Sequence, residues 1–249
     1  YGGKDLVSAA RADGAVLRID VVKNALRDVV RQLEAKATAT GQFEFAIYTF
    51  SNSLVQVLAP TTDYAAVEAA ISLIDLAADA MQGGTNIDYS LQQLAGSIEP
   101  GGTGDSVKNR LAYSVLITDG VADSAREEPT GAGKFDPLFD PNFVAGSPSF
   151  MPHSFMILQG MDPASCDGLK TLNHHVIAFD VEYLIPPGFE SEPRFGFIAY
   201  TLRPKIMDNM KRCASDEKSV VRANNPAEIL AAADSISSVI TKANVKLTQ

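Results

Sequence analysis

Apolar residues recur every four positions from Leu17: Leu17, Val21, Ala25, Val29 and Leu33, with Val22 and Leu26 widening the stripe. That spacing predicts an amphipathic helix over 17–37. Arg18, Lys23, Arg27, Asp28, Arg31 and Glu34 fall mostly off the stripe and form a solvated face, and Gly41 closes the segment. The period then changes. Residues 43–50 are rich in β-formers, Ser51-Asn52-Ser53 carries turn chemistry, and 54–58 alternates, which together predict a hairpin at a sheet edge. Helices are predicted over 64–76 and over 87–98, the second carrying Ile87, Leu91 and Leu94, with Gly83-Gly84 breaking the pattern between them.

A glycine-rich loop at 100–104 leads to an apolar strand at 111–118. The next stretch, 120–151, has no periodicity. It holds Pro129, Pro137, Pro141 and Pro148 with Phe135, Phe139, Phe143 and Phe150 between them, and reads as a functional excursion inserted in the fold. A short strand at 154–158, a helix at 164–172 and a strong strand at 176–183 follow. A second insertion at 186–203, with a hairpin through 195–202, precedes a helix at 205–212 and a strand at 219–222. Asn225-Pro226 then opens a helix reaching about 242, with proline in its first turn, and 245–248 is a terminal strand. Strands alternating with helices predict an α/β sheet with mixed edges. The first long helix should follow a buried strand, and 1–16 is too polar and irregular to be one.

The length of 249 residues suits one domain, taken as 1–249 with the two insertions. The formal charge of −9 disfavours nucleic acid and anionic membrane surfaces as partners. No apolar run is long enough to span a bilayer. The chain opens on Tyr1, as a mature or trimmed product would. Its two cysteines, Cys166 and Cys213, are compatible with buried thiols or with one disulfide, and spacing does not separate these.

The candidate chemistry sits in two segments. Val115-Leu116-Ile117-Thr118-Asp119-Gly120 is an apolar run ending in a polar group, the pattern of a buried parallel strand with a carboxylate at its carboxyl end, where open α/β sheets bind ligands. Gly83-Gly84-Thr85-Asn86 is a glycine-opened turn with a hydroxyl at the mouth of a helix. Thr85 and Asp119 are hard oxygen donors of the kind Mg²⁺ selects. Thr85 could instead cap the helix, and Asp119 could be a turn residue. Asp88 belongs to the helix's first turn, where the dipole favours its charge, and Asp123 is a loop acid. His153, His174 and His175 form no ligand set, because adjacent strand residues point to opposite faces. No nucleophile elbow, phosphate loop or His-Glu-x-x-His motif occurs.

Gly83-Gly84-Thr85-Asn86-Ile87 and Leu116-Ile117-Thr118-Asp119-Gly120 resemble the second and third parts of the metal-ion-dependent adhesion site of von Willebrand factor A domains. Arg18-Ile19-Asp20-Val21-Val22-Lys23 resembles the helix that follows the first part, and Ile47-Tyr48-Thr49-Phe50-Ser51 a strand of the same family. The resemblance implies a doubly wound, mostly parallel sheet with an antiparallel edge strand. It also implies Thr85 and Asp119 as metal ligands. Within the family, Thr118-Asp119-Gly120-Val121-Ala122-Asp123 and the surroundings of Cys166 and Cys213 are similar to TadG-like proteins of Tad (Flp) pilus systems. That similarity implies a Cys166–Cys213 disulfide, a membrane anchor upstream and an extracytoplasmic place, in the bacterial periplasm or at the cell envelope or surface. The family's first motif, Asp-x-Ser-x-Ser, is absent from the 249 residues, so that either the first strand lies upstream of Tyr1 or the metal site is degenerate.

The expected function is a non-enzymatic binding and assembly module with protein partners, either pilus machinery or a surface ligand. Mg²⁺ or Mn²⁺ is expected to bind weakly or not at all in this form. The alternatives are a metal-dependent hydrolase using Asp119 and a structural subunit whose metal site has decayed.

Overall fold

The computed structural model describes residues 8, 11–51, 53–76, 85–106, 108–125, 156–185, 188 and 193–244. Helix α1 (Arg18–Lys36) buries Val21, Ala25, Val29 and Leu33 of the stripe read from the sequence, and Val30 beside them. The hairpin follows, with β1 (Phe45–Phe50) antiparallel to β2 (Leu54–Thr61). Helices α2 (Tyr64–Leu73) and α3 (Ile87–Ala95) come next. Strand β3 (Ala112–Thr118) lies parallel to β6 (His174–Val181), which lies parallel to β7 (Val220–Ala223).

Strand β6 explains why helices cover both faces. Its side chains alternate, and each set contributes buried apolar residues to a different core. Ile177, Phe179 and Val181 share a core with Val21, Ala25, Val29 and Leu33 of α1 and with Ile229, Ala232, Ile236 and Ile240 of the last helix, α7 (Pro226–Asn244). Val176 and Ala178 belong to a second core, with Ile87 and Leu91 of α3, Leu169 of α4 (Asp167–Thr171), and Ile206 and Met210 of α6 (Arg203–Cys213). The expected doubly wound α/β architecture is therefore present.

Two assignments differ from the sequence reading. The excursion expected to begin at residue 120 starts with a strand: β4 (Val121–Ala125) pairs antiparallel with β5 (Met156–Gly160). The expected hairpin through 195–202 is helical instead, comprising α5 (Pro193–Phe197) and a π-helical turn (Ile198–Leu202) that run into α6. Ile198, Leu202, Ile206 and Met210 recur every four residues and are all buried, so the helical period continues upstream of 205 and overrides the local β-propensity of Phe195–Phe197. The segments 126–155 and 245–248 and Gly83-Gly84 lie outside the described residues.

Among the described residues β1 pairs only with β2, and β3 pairs only with β6. The hairpin and the parallel sheet share helix α1 but no ladder.

Candidate metal centre

Strand β3 ends in a tight turn built by its own polar residues. Thr118 is buried, and its Oγ1 accepts the Gly120 N–H at 3.1 Å. Asp119 Oδ1 accepts the Val121 N–H at 3.0 Å. Gly120 has φ of +72° and sits against α6, where a Cβ would fall 2.7 Å from Ile206 Cγ2. Glycine is thus required both by conformation and by space. The result holds the Asp119 carboxylate at the carboxyl end of the sheet. Burial pushes its carboxyl above the usual range, while the Val121 amide and the Arg18 guanidinium act in the opposite direction.

Thr85 comes from a different element. The cap of α3 is Asn86, whose Oδ1 accepts the Tyr89 N–H at 3.3 Å. The capping role considered for Thr85 is therefore filled by its neighbour. The Asn86 N–H donates to the Ser51 carbonyl at 2.6 Å, which sets the Thr85 segment beside the end of β1. No hydrogen bond joins Thr85 to Asp119 among the described residues.

Two charged residues outside the expected ligand pair stand close by, Asp180 and Arg18, the second half-buried where the sequence pattern placed it on a solvated face. Asp180 lies opposite Thr118 in the β3–β6 register and is 2% exposed. Burial raises its carboxyl to about 6, Arg222 opposes this, and the Asp119 charge adds to it. Its Oδ2 faces Arg222 Nε at 3.4 Å, while its Oδ1 is buried without a hydrogen bond. Arg18, at the start of α1, feels the charges of both Asp119 and Asp180; burial lowers its pKa, and its buried NH2 lacks a partner. The sequence did hold a signal for Asp180, a lone carboxylate inside the apolar run Val176–Val181.

The oxygen donors at this end of the sheet fit a hard divalent cation in kind. They are few, since among the described residues no group of three or more His, Cys, Asp or Glu converges, and the Arg18 charge competes for the same carboxylates.

Other singled-out residues have structural partners. Asp88, in the first turn of α3, accepts from the Asp162 N–H at 2.9 Å and from Ser165 Oγ at 3.0 Å. His174 bonds Ser114 Oγ through Nδ1 and the Glu99 carbonyl through Nε2, and His175 bonds Ser219 Oγ. Both histidines line a cleft with Tyr113, Asn173 and Ser215, at the amino ends of β3 and β6, far along the sheet from Asp119. The Asp123 side chain and His153 lie outside the described set. Cys166 and Cys213 form a disulfide with Cα atoms 5.2 Å apart, and both are fully buried.

The von Willebrand factor type A domain model matches residues 16–134. The fold is similar to the vWF domain of the type V pili tip protein Mfa5 from Porphyromonas gingivalis, at 13% identity and a TM-score of 0.56, covering 93% of this chain and 90% of that one. It is also similar to the pilus adhesin SpaC from Lactobacillus rhamnosus GG in its open conformation, at 13% identity and a TM-score of 0.54, covering 90% of this chain and 28% of that one. Proximal thread matrix protein 1 from the mussel byssus matches at 14% identity and a TM-score of 0.48, over 89% of this chain and 42% of that one. The chain thus spans less than half the length of the mussel and lactobacillus proteins. No curated protein matches the sequence. Family model and fold point the same way: the fold is α/β and similar to that of von Willebrand factor type A domains, those of pilus tip and adhesin proteins among them. No helix among the described residues is long and apolar enough to cross a membrane.

Proposed function

We propose that the chain is a non-enzymatic binding and assembly module of a pilus or related surface-adhesion machine, of the Tad type, acting outside the cytoplasm in the bacterial periplasm or at the cell surface. It is read as one domain over 1–249, anchored through sequence upstream. Its partners are proteins of the pilus machinery or a surface ligand. Thr85 and Asp119 would hold Mg²⁺ or Mn²⁺, and the metal, when bound, would offer an open position to a partner's carboxylate.

One observation carries the reading. Asp119 is a desolvated carboxylate at the carboxyl end of a parallel strand, with a backbone amide on one oxygen. Such a group gains most from a cation. The Thr85 hydroxyl is spared from capping by Asn86. An enzyme would need a base or nucleophile converging on Asp119, and His174 and His175 are engaged elsewhere. A second reading, a structural subunit without metal, draws on Arg18, which supplies a built-in positive charge to Asp119 and Asp180.

Calorimetric titration with Mn²⁺ and Mg²⁺ separates the two. Millimolar or weaker binding that disappears in Asp119→Ala fits the module with a partial site, given how affinity follows ligand number and charge. Undiminished binding in that variant would reject the ligand assignment, and no binding in any form would favour the structural subunit.

A further inference from the structure

We infer that the cleft at the amino ends of β3 and β6 is a binding site for a neutral sugar. It lies at the end of the sheet opposite Asp119, and the inference stands apart from the metal reading.

The cleft holds about 450 Å³, within the range of small-molecule sites. Its walls are fastened to one another. Lys170 of α4 donates to the Arg212 carbonyl of α6 at 2.7 Å, and the Cys166–Cys213 bond joins the same two stretches. Ser215 is tied to β6: its N–H donates to the Val176 carbonyl at 2.9 Å, and its Oγ accepts the Val176 N–H at 2.8 Å. Asn173 has a left-handed backbone, with φ of +59°. Its Nδ2 donates to the Gly101 and Gly102 carbonyls at 3.0 and 3.3 Å. A frame tied in this way needs little ordering when a ligand arrives.

The hydrogen-bonding groups left over define the ligand. Ser219 Oγ donates to Asp216 Oδ1 at 2.9 Å, so in its 2.6 Å contact with His175 the ring Nε2–H is the donor. Neutral His175 then keeps Nδ1 as an acceptor. Asn173 spends its amide nitrogen on the two glycines and keeps Oδ1, also an acceptor. On the donor side, Ser215 keeps its hydroxyl hydrogen. Lys170 bonds Asp167 and the Arg212 carbonyl and keeps one N–H. The phenol of half-buried Tyr113 makes no hydrogen bond among the described residues. Donors and acceptors are thus mixed around one opening.

A sugar hydroxyl donates and accepts at once, so a ring bearing several satisfies a mixed set. An anion does not. It would face the His175 and Asn173 acceptors, and Asp216 stands 3.9 Å from His175 Nε2. The Lys170 charge that could attract it is already answered by Asp167 at 3.4 Å. A cation would meet the same ammonium. The apolar part of the cleft fits the rest of a sugar. The Tyr113 and His175 rings have centroids 5.5 Å apart and are tilted by 58°, and Leu111 and Ala112 line the same cleft. Such surfaces suit the C–H face of a pyranose, while the polar groups meet its hydroxyl edge.

The test is amide correlation NMR of the chain titrated with the methyl glycosides of glucose, galactose, mannose and N-acetylglucosamine. Glucuronate is the anionic control, and EDTA is present throughout, which separates this site from the metal centre. At least one glycoside should shift the amides of 111–113, 173–175 and 215 with a Kd of roughly 1 mM, a value in keeping with so small a ligand. Tyr113→Phe keeps the ring and should weaken that binding about fivefold, the loss of one hydrogen bond. Asn173→Gly keeps the left-handed backbone and should weaken it to a similar degree. Melting curves show whether each variant is folded; if Asn173→Gly is not, the shift map of the unaltered chain and Tyr113→Phe decide. Shifts confined to residues away from the cleft, or unchanged affinity in the folded variants, would overturn the inference. So would tighter binding of glucuronate than of any neutral sugar, or no shift from any glycoside up to about 100 mM.

Discussion

Thr118 and Asp180 stand opposite each other across β3 and β6, a buried hydroxyl beside a buried carboxylate whose Oδ1 has no hydrogen bond. Asp180 is held protonated up to about 6, against an ordinary 3.8. An acid with a raised folded-state value binds its proton more tightly when folded. Its contribution to stability is therefore full below about pH 4 and is lost as pH rises through about 6. A shift of about two units corresponds to roughly 3 kcal/mol. Urea unfolding should show stability falling between pH 4 and 7, and Asp180→Asn should flatten much of that fall. An unchanged slope in the variant would mean that Asp180 is ionised throughout.

If Thr85 and Asp119 hold the metal, binding should depend on both. Thr85→Ala and Asp119→Ala should each weaken Mn²⁺ binding, with the larger effect at Asp119 because it carries the charge. Thr85→Ala should leave the melting temperature within about 1 °C without metal, because Asn86 keeps the cap of α3. A large thermal loss at Thr85 would show a structural role for its hydroxyl.

Gly120→Ala should destabilise the domain by roughly 2–4 kcal/mol, combining a left-handed backbone with overpacking against α6. The clash is with Ile206 Cγ2 at 2.7 Å. Placing Gly120→Ala in an Ile206→Ala background should recover the packing part and leave the backbone part, measurable as non-additivity in a double-mutant cycle.

Reducing the Cys166–Cys213 bond should cost about 4 kcal/mol by the chain-entropy relation for a separation of 47 residues. The measurement is the denaturation midpoint with and without reductant, with alkylation to confirm the thiols. Because both sulfurs are fully buried, reduction should be slow under native conditions and fast in denaturant.

The elements legible in the sequence were those with an unbroken local pattern: the four-residue stripe of α1 and the apolar run of β6, whereas the alternation expected over 54–58 is not kept in the burial of β2. Elements decided by neighbours were not legible. Val121–Ala125 is a strand because Met156–Gly160 lies beside it, a pairing across more than thirty residues that no local pattern announces. At the site, Thr118-Asp119-Gly120 was readable as a strand end and Asp180 as a lone carboxylate in an apolar run, yet the place of Asp180 beside Thr118 and the approach of Arg18 were not, because they come from register and helix placement. Asp88 was read as a first-turn charge and is that. Its second role, accepting from Asp162 and Ser165, depends on where the disulfide-bearing segment docks. The disulfide itself followed from resemblance and not from spacing.

The cystine has a mechanical meaning as well as a thermodynamic one. It clasps a stretch of chain running from the turn before α4, through β6, to the end of α6. If the two ends of the chain were pulled apart, the 47-residue separation would withhold about 160 Å of contour at full extension. The parallel strand that carries Asp180 lies inside that inextensible loop. Under tension β7 and α7 can peel away from the carboxyl-terminal side, but β6 cannot be drawn out to full length while the bond is intact.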